Sequence, residues 1–101
     1  MAVTNDVLKG TLTGSGTQDT IRTGANSAEQ VTVWFRNAAG ATRTVTIYLN
    51  GTTAAEIVVI VTLLTLESCS FNVGLGSGDT LYAEASDATS INWFVSEVIN
   101  P

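Results

Sequence analysis

The chain has 101 residues, four Lys and Arg against nine Asp and Glu, and a formal net charge of −5. A chain of this length predicts a single domain over residues 1–101 with one modest core. An acidic chain without a basic cluster repels phosphate backbones and anionic lipid heads, so we expect no nucleic acid and no membrane as partners.

Composition also limits the chemistry. The 45% hydrophobic fraction and 13% charged fraction predict a folded chain rather than a disordered one. Histidine is absent, which removes the commonest general base near neutral pH and an imidazole metal ligand. We therefore expect no enzyme, no cofactor and no metal site.

Apolar residues mostly recur at every second position, and the β-branched residues Thr and Val are frequent. This pattern predicts an all-β fold, a single antiparallel β-sandwich that is jelly-roll-like and has about eight strands. Segments rich in Gly, Ser and Asn separate the strands, and no segment predicts a helix. The predicted strands are residues 7–13, 19–23, 30–36, 44–49, 54–64, 69–73, 80–85 and 91–99.

The central strands show which face is buried. In residues 30–36, positions 31, 33 and 35 are apolar and alternate with Thr32 and Trp34, which is typical of a strand with one buried face. Residues 44–49 alternate in the same way. Asn50-Gly51 readily accepts positive φ at both central positions of a turn, so it predicts a tight hairpin to a strand that starts near residue 53.

The next strand has two apolar faces, because Ile57, Val58, Val59, Ile60 and Val61 are consecutive. Either such a strand is covered on both sides inside the sandwich, or one face is buried against another subunit. Burying a Val or Ile side chain contributes about 1.5 to 3 kcal/mol. We therefore expect these residues to form the interface of a homo-oligomer.

Two aromatic pairs, Trp34-Phe35 and Trp93-Phe94, are consecutive in strands, so the members of each pair point to opposite faces. At least one member of each pair then lies outside the core. These aromatic residues could form a sugar-stacking platform or a protein interface. The protein interface is favoured, because the doubly apolar strand also requires a protein contact, and Trp34, Trp93 and Phe94 are expected to join it.

The glycine-rich loop Gly74 to Asp79 could suggest a phosphate cradle or one calcium-binding nonapeptide. However, no Lys-Ser/Thr pair follows it, the next segment is a predicted strand, and Leu75 and Ser77 stand where the nonapeptide needs Gly. A tight turn is favoured, in which Asp79 accepts hydrogen bonds from nearby backbone amides.

The remaining reactive side chains predict no catalytic set. Cys69, the single cysteine, has no base or cationic neighbour in the sequence and is expected to be a small core residue. Glu84, Asp87 and Glu97 could form paired carboxylates, but spacing alone does not bring them together. We expect Glu84 and Glu97 on solvated strand faces and Asp87 in a turn.

No targeting signal or membrane span is expected. Residues 1–6 lack the basic and apolar regions of a secretory signal. The longest apolar run, residues 57–66, has about half of the roughly 20 residues that a spanning helix needs. Asn50-Gly51-Thr52 matches a glycosylation acceptor, but without a signal the hairpin turn is the favoured interpretation.

Residues 65–70 (TLESCS) and 75–86 (LGSGDTLYAEAS) resemble small structural proteins of tailed bacteriophages. In those proteins a strand pair ends in a Gly-Asp-Thr-type turn, and the strand that follows closes in Ala-Ser. The strands at 31–37 and 44–49 and the Asn50-Gly51 pair fit the same pattern.

The resemblance implies a virion component that is made in the host cytoplasm. It favours a capsid decoration (cement) protein on the capsid surface that binds the major capsid protein or other virion proteins and stabilises the shell. The alternative is a tail or head-fibre module that binds a host receptor or carbohydrate. Three-fold capsid sites favour a trimer as the homo-oligomer, and no catalytic or ligand residue is implied.

Overall fold

A computed structural model describes the backbone of residues 2–4, 8–25 and 28–100 and the side chains of residues 9–25 and 28–96. The described residues form two antiparallel sheets and one turn of 3-10 helix, Ala54–Glu56. The strands are β1 (Ala2–Thr4), β2 (Leu8–Thr11), β3 (Asp19–Thr23), β4 (Glu29–Asn37), β5 (Arg43–Leu49), β6 (Ile57–Leu63), β7 (Ser68–Leu75), β8 (Thr80–Ala85) and β9 (Ile91–Asn100).

The strand order is that of a jelly roll. The first sheet has the order β2-β9-β4-β7, with β1 pairing further along β9, and the second sheet has the order β3-β8-β5-β6. From β2 onwards, every connection except the β5–β6 hairpin crosses from one sheet to the other. The all-β, jelly-roll-like sandwich predicted from the alternation is confirmed.

The core lies between the inner faces of the two sheets. In β4, the apolar residues at 31, 33 and 35 are at most 1% exposed, whereas Trp34 on the opposite face is 36% exposed. The same alternation holds throughout β8 and over residues 44–47 of β5, beyond which Tyr48 on the outer face is also buried. The fully buried core side chains are Leu12, Ile21, Val31, Val33, Phe35, Val45, Ile47, Leu63, Leu75, Leu81, Ala83, Ala85, Ile91 and Val95.

Most predicted strand boundaries are close to the observed ones, and those at 19–23 and 80–85 agree fully. Residue 7 of the first predicted strand lies outside the described residues. The strand predicted over 54–64 begins later, at Ile57, because residues 54–56 form the 3-10 turn.

The two-residue hairpin turn at Asn50-Gly51 was also a wrong prediction, although the hairpin itself forms. The connection runs from residue 50 to residue 56, and only Asn50 of the pair has a positive φ, 59°. Glu56 folds back and accepts hydrogen bonds from the backbone amide and hydroxyl of Thr53. A Cβ on Gly51 would lie 2.5 Å from Oε1 of Glu56, so glycine makes room for this capping interaction.

Asn37 ends β4 and is fully buried. Its Nδ2 donates hydrogen bonds to the carbonyl oxygens of Ala41 at 2.8 Å, Leu63 at 3.0 Å and Leu64 at 3.2 Å. Its Oδ1 accepts from the amide of Ala39 at 2.9 Å. One side chain therefore satisfies backbone groups of both the β4–β5 loop and the end of β6.

The backbone of Asn37 extends the same connection to the β6–β7 turn. Its amide donates to the carbonyl of Glu67, and its carbonyl accepts from the amide of Leu66, both at 2.9 Å. Leu66 has a φ of 64°, which is unfavourable for a side chain with a Cβ. The turn is held in this conformation by its hydrogen bonds to Asn37 and by the Glu67 side chain, which accepts from the amide of Leu64 at 2.9 Å.

We predict that Asn37→Leu lowers the free energy of unfolding by about 3 kcal/mol, because it leaves one buried and three partly buried backbone groups without this partner, at about 1 kcal/mol each. Urea denaturation measures the difference. The matched control is Asn72→Leu on an exposed position of β7, for which we expect a change within about 0.5 kcal/mol. Equal losses in the two variants would contradict the role of Asn37.

Candidate functional site

Trp34 and Phe94 form a stacked aromatic pair on the outer face of the first sheet. They are directly opposite each other in β4 and β9, with ring centroids 6.2 Å apart and planes inclined by 8°. Trp34 is 36% exposed and Phe94 is 42% exposed, whereas Phe35 is fully buried. The prediction that at least one residue of Trp34-Phe35 and of Trp93-Phe94 lies outside the core is confirmed. The two exposed residues, Trp34 and Phe94, contact each other.

Trp93 points to the other side of β9 and packs, half-buried, against the core. Its register partner in β2 is Gly10, and a Cβ there would lie only 3.1 Å from the indole Nε1. Glycine therefore leaves the space that the ring occupies. A groove of about 500 Å³ runs along this edge and is lined by Lys9, Gly10, Thr11, Asn92, Trp93 and Phe94.

Two Thr-Asn pairs flank the aromatic pair on the same face. The hydroxyl of Thr11 donates to Oδ1 of Asn92 at 2.9 Å, and the hydroxyl of Thr32 donates to Oδ1 of Asn72 at 2.8 Å. In both pairs the amide oxygen is used. The amide NH₂ of each Asn has no hydrogen-bond partner among the described residues and remains a donor.

The basic residues are divided between the two sides of the molecule. Arg22 forms a two-point ion pair with the buried Glu29, at 3.2 and 3.0 Å, and Arg43 pairs with Asp87 at 3.1 Å. Lys9 and Arg36 are exposed, lie on the outer face of the first sheet and form no ion pair with a described residue. Alternation along a strand does not show which charges are paired, so these two residues could not be identified from sequence.

β6 is an edge strand whose only partner among the described strands is β5. Val59 and Val61 face inward, half-buried against the core, and Ile57 is also half-buried. Val58 is 49% exposed and Ile60 is 58% exposed. A central strand covered on both sides, which was one of the two predicted alternatives, is therefore wrong.

The turn after β6 extends this apolar surface, since Leu64 is 61% exposed and Leu66 is 59% exposed. We call Val58, Ile60, Leu64 and Leu66 the β6 apolar edge. The interface expected from sequence included residues 57–61 but not these two leucines, although positions 64 and 66 are separated from 58 and 60 by even numbers of residues. No charged residue occurs from 57 to 66.

The residues expected in one interface lie on opposite sides of the sandwich. Val58 and Ile60 are on the outer face of the second sheet, whereas Trp34 and Phe94 are on the outer face of the first. One flat interface therefore cannot include both the two aliphatic residues and the two aromatic residues. The reason is topological, because β6 belongs to one sheet and β4 and β9 to the other.

Glu84 was expected on a solvated strand face but is half-buried at a hydrogen-bonded centre on the second sheet. Its Oε1 accepts from the hydroxyl of Tyr48 at 2.6 Å and from Nε2 of Gln18 at 2.9 Å, and its Oε2 accepts from the amide of Gly16 at 2.7 Å. The bonds from Tyr48, Gln18 and Gly16 lower the pKa of Glu84, and the bond to Glu84 raises the pKa of Tyr48. The β2–β3 loop therefore lies over this face, and Tyr48 is only 7% exposed.

The other carboxylates have separate roles. Asp87 lies in a turn, as predicted, and pairs with Arg43. The side chain of Glu97 lies outside the described residues. Among the side chains that the structure describes, no three His, Cys, Asp or Glu residues come together as a metal site.

The Gly74 to Asp79 loop is the tight turn that the sequence predicts. Oδ2 of Asp79 accepts from the amide of Gly76 at 2.8 Å, and Oδ1 accepts from Nδ2 of Asn50 at 3.0 Å. These bonds, that of Gly76 first, lower the pKa of Asp79. The Gly76 amide that an anion would need is therefore already used within the turn.

Cys69 is half-buried and packs against the core, as expected. Burial, and to a lesser extent the charge of Glu67, raises the pKa of its thiol. A raised pKa leaves little thiolate at neutral pH, so this environment does not activate a nucleophile.

No protein-family model matches the sequence, and no curated protein matches it. Among solved structures, an exo-β-1,3-galactanase from Phanerochaete chrysosporium, solved with β-1,3-galactotriose, is 16% identical with a TM-score of 0.42. The match covers 97% of this chain and 26% of that protein, and a TM-score this low supports no conclusion about fold or activity. Among the described residues no helix is long and apolar enough to cross a membrane.

The lowered pKa values of Asp79 and Glu84 predict how stability depends on pH. A carboxylate whose pKa is depressed by folding stabilises the fold above its unfolded pKa, and this contribution is lost as the pH falls through the folded value. We expect a constant thermal midpoint from about pH 6 to 8 and a falling one below about pH 4.5. Glu84→Gln should show a smaller fall in acid than the parent, and equal falls would contradict the role of Glu84.

Proposed function

We propose that this protein is a non-enzymatic structural protein of a tailed-bacteriophage virion. In this proposal it is a capsid decoration (cement) protein that binds the major capsid protein on the capsid surface and stabilises the shell. The observation that supports this most is the β6 apolar edge, which leaves four large aliphatic side chains about half exposed or more on a sandwich with a complete core.

The position of this surface favours assembly. An edge strand presents unpaired backbone groups, and soluble proteins usually protect such a strand with charges, prolines or a covering loop. Residues 57–66 contain neither a charge nor a proline. A protein that works alone gains nothing from such an edge, whereas one that packs against copies of itself and a shell buries it.

The segment that resembles phage structural proteins adds independent support. It forms β7, the Asp79 turn and β8, so it includes the strand that follows the β6 apolar edge along the chain. The resemblance also favours a trimer, since decoration proteins that occupy three-fold capsid sites would bring three copies of β6 near one axis. Burial of two or three aliphatic side chains per subunit contributes several kcal/mol to such contacts.

The first test is the oligomeric state of the purified chain, measured by sedimentation at tens of micromolar. We expect a trimer for the parent and a folded monomer for Val58→Asp, because this side chain points to solvent in the single subunit. Val59→Asp is the matched control, since it puts the same charge about 3.3 Å further along the strand but on the inner face, where it should unfold the subunit. A monomeric parent, or unfolding of both variants, would contradict the proposed assembly.

The second test locates the protein. Immunogold labelling and mass spectrometry of purified virions should find it on the capsid surface. Virions that lack it should rupture at a lower temperature and regain stability when the purified parent is added. Val58→Asp should fail to restore them, whereas Thr20→Asp, at an exposed position of the opposite edge strand β3, should restore them.

The stacked aromatic pair favours a second candidate, a tail or head-fibre module that binds a host receptor or carbohydrate. Labelling of the tail or of fibres, with none on the capsid, would support that candidate and exclude the decoration role. Localisation therefore separates the two functions without depending on any ligand.

A further inference from the structure

The outer face of the first sheet differs from the β6 apolar edge in both chemistry and position. It combines the aromatic pair with hydroxyl and amide side chains on β2, β4, β7 and β9. Because it lies on the opposite side of the sandwich, it stays free when β6 is covered. An aromatic surface with adjacent polar groups suits sugars, whose apolar ring faces pack on aromatic rings while their hydroxyls accept and donate hydrogen bonds.

Two exposed cationic side chains, Lys9 and Arg36, lie on this face although the chain carries −5. Lys9 lies beside Phe94 in the register, and Arg36 lies two residues beyond Trp34 along β4. Adjacent strands are about 5 Å apart and alternate residues about 7 Å apart, so the two cations border the aromatic pair on two sides. Glu97 is opposite Thr32 in the β4–β9 register, and its side chain lies outside the described residues. Among the side chains that are described on this face, none is acidic.

The hydrogen-bonding groups are also prepared for a ligand. Thr11 and Thr32 donate to the oxygens of Asn92 and Asn72, so the NH₂ groups of these two exposed side chains remain available as donors. Sugar hydroxyls accept such bonds. The groove beside Phe94 continues the surface to the edge of β2.

We propose that the outer face of the first sheet binds an acidic polysaccharide, a chain of carboxylate-bearing sugars. A sugar ring packs on Trp34 and Phe94, and the guanidinium of Arg36 binds its carboxylate in the two-point geometry that this pair favours. Lys9 attracts the carboxylate of a neighbouring sugar. Carboxylates are favoured over neutral sugars because Lys9 and Arg36 lack ion-pair partners among the described residues, whereas Arg22 and Arg43 both have one.

The test is calorimetric titration of the full chain with four probes: polygalacturonate, alginate, hyaluronate and polysialic acid. We expect at least one to bind and its neutral methyl ester to bind at least tenfold more weakly. Affinity should fall with added salt, because exposed charges are screened. No binding to any of the four probes overturns the proposal, and so does equal binding of the acid and its ester.

Variants test whether the polysaccharide binds to the outer face of the first sheet. Arg36→Gln, Lys9→Gln and Trp34→Ala should each weaken binding at least tenfold, while circular dichroism shows that they remain folded. Arg43→Gln is the matched control for charge and should bind like the parent. If Trp34→Ala does not fold, Phe94→Ala replaces it. Unchanged affinity in Arg36→Gln, or equal weakening in Arg43→Gln, overturns the proposal.

Two further measurements are needed. The first distinguishes recognition of sugar rings from attraction between charges, and the second distinguishes polysaccharide binding from the proposed assembly. Poly-glutamate carries carboxylates without sugar rings, and binding as tight as that of the polysaccharide would overturn the proposal. Val58→Asp should keep full polysaccharide affinity although it loses assembly. Saccharide binding and capsid binding can therefore fail independently.

Discussion

The burial of one amide, that of Asn37, determines how the two sheets are joined at one end of the sandwich. The side chain is in phase with the buried positions 31, 33 and 35, so it must face inward and must find hydrogen-bond partners there. It finds them in the carbonyls that end β6 and in the β4–β5 loop. The side chain thus joins the end of β6 to the β4–β5 loop, while the backbone amide and carbonyl of Asn37 bond to Glu67 and Leu66 in the β6–β7 turn, where Leu66 has a φ of 64°.

The opposite end of β4 has a similar anchor, and together the two anchors position both outer surfaces. Glu29 is 1% exposed and accepts hydrogen bonds from Arg22 and from the amide of Ala25, which ties the β3–β4 connection to the core. With both ends of β4 held, Trp34 stays in register with Phe94 on one face. The hydrogen bonds of Asn37 hold the turn after β6, and the β6 apolar edge is exposed on the side of the second sheet.

Much of the fold could be predicted from sequence, because period-2 alternation reports directly which residues face the core. The same alternation could have identified Glu29 and Asn37, since both lie in phase with Val31, Val33 and Phe35. What sequence could not supply was long-range pairing. Stacking of Trp34 on Phe94 depends on the β4–β9 register, and the three donors that hold Glu84 come from a loop and a strand far away in the chain. The prediction of a tight turn at Asn50-Gly51 was wrong because Glu56 caps a 3-10 turn in this connection instead.

We propose that β6 is an assembly edge, which the jelly roll leaves open and another copy of the chain covers. Amide hydrogen exchange followed by mass spectrometry, at about 1 and about 100 µM protein, tests it most directly, since association depends on concentration. We expect amides of Ile57–Leu63 to exchange more slowly at the higher concentration, while those of Asp19–Thr23, on the other edge of the same sheet, exchange equally at both. Identical exchange of Ile57–Leu63 at the two concentrations would contradict it.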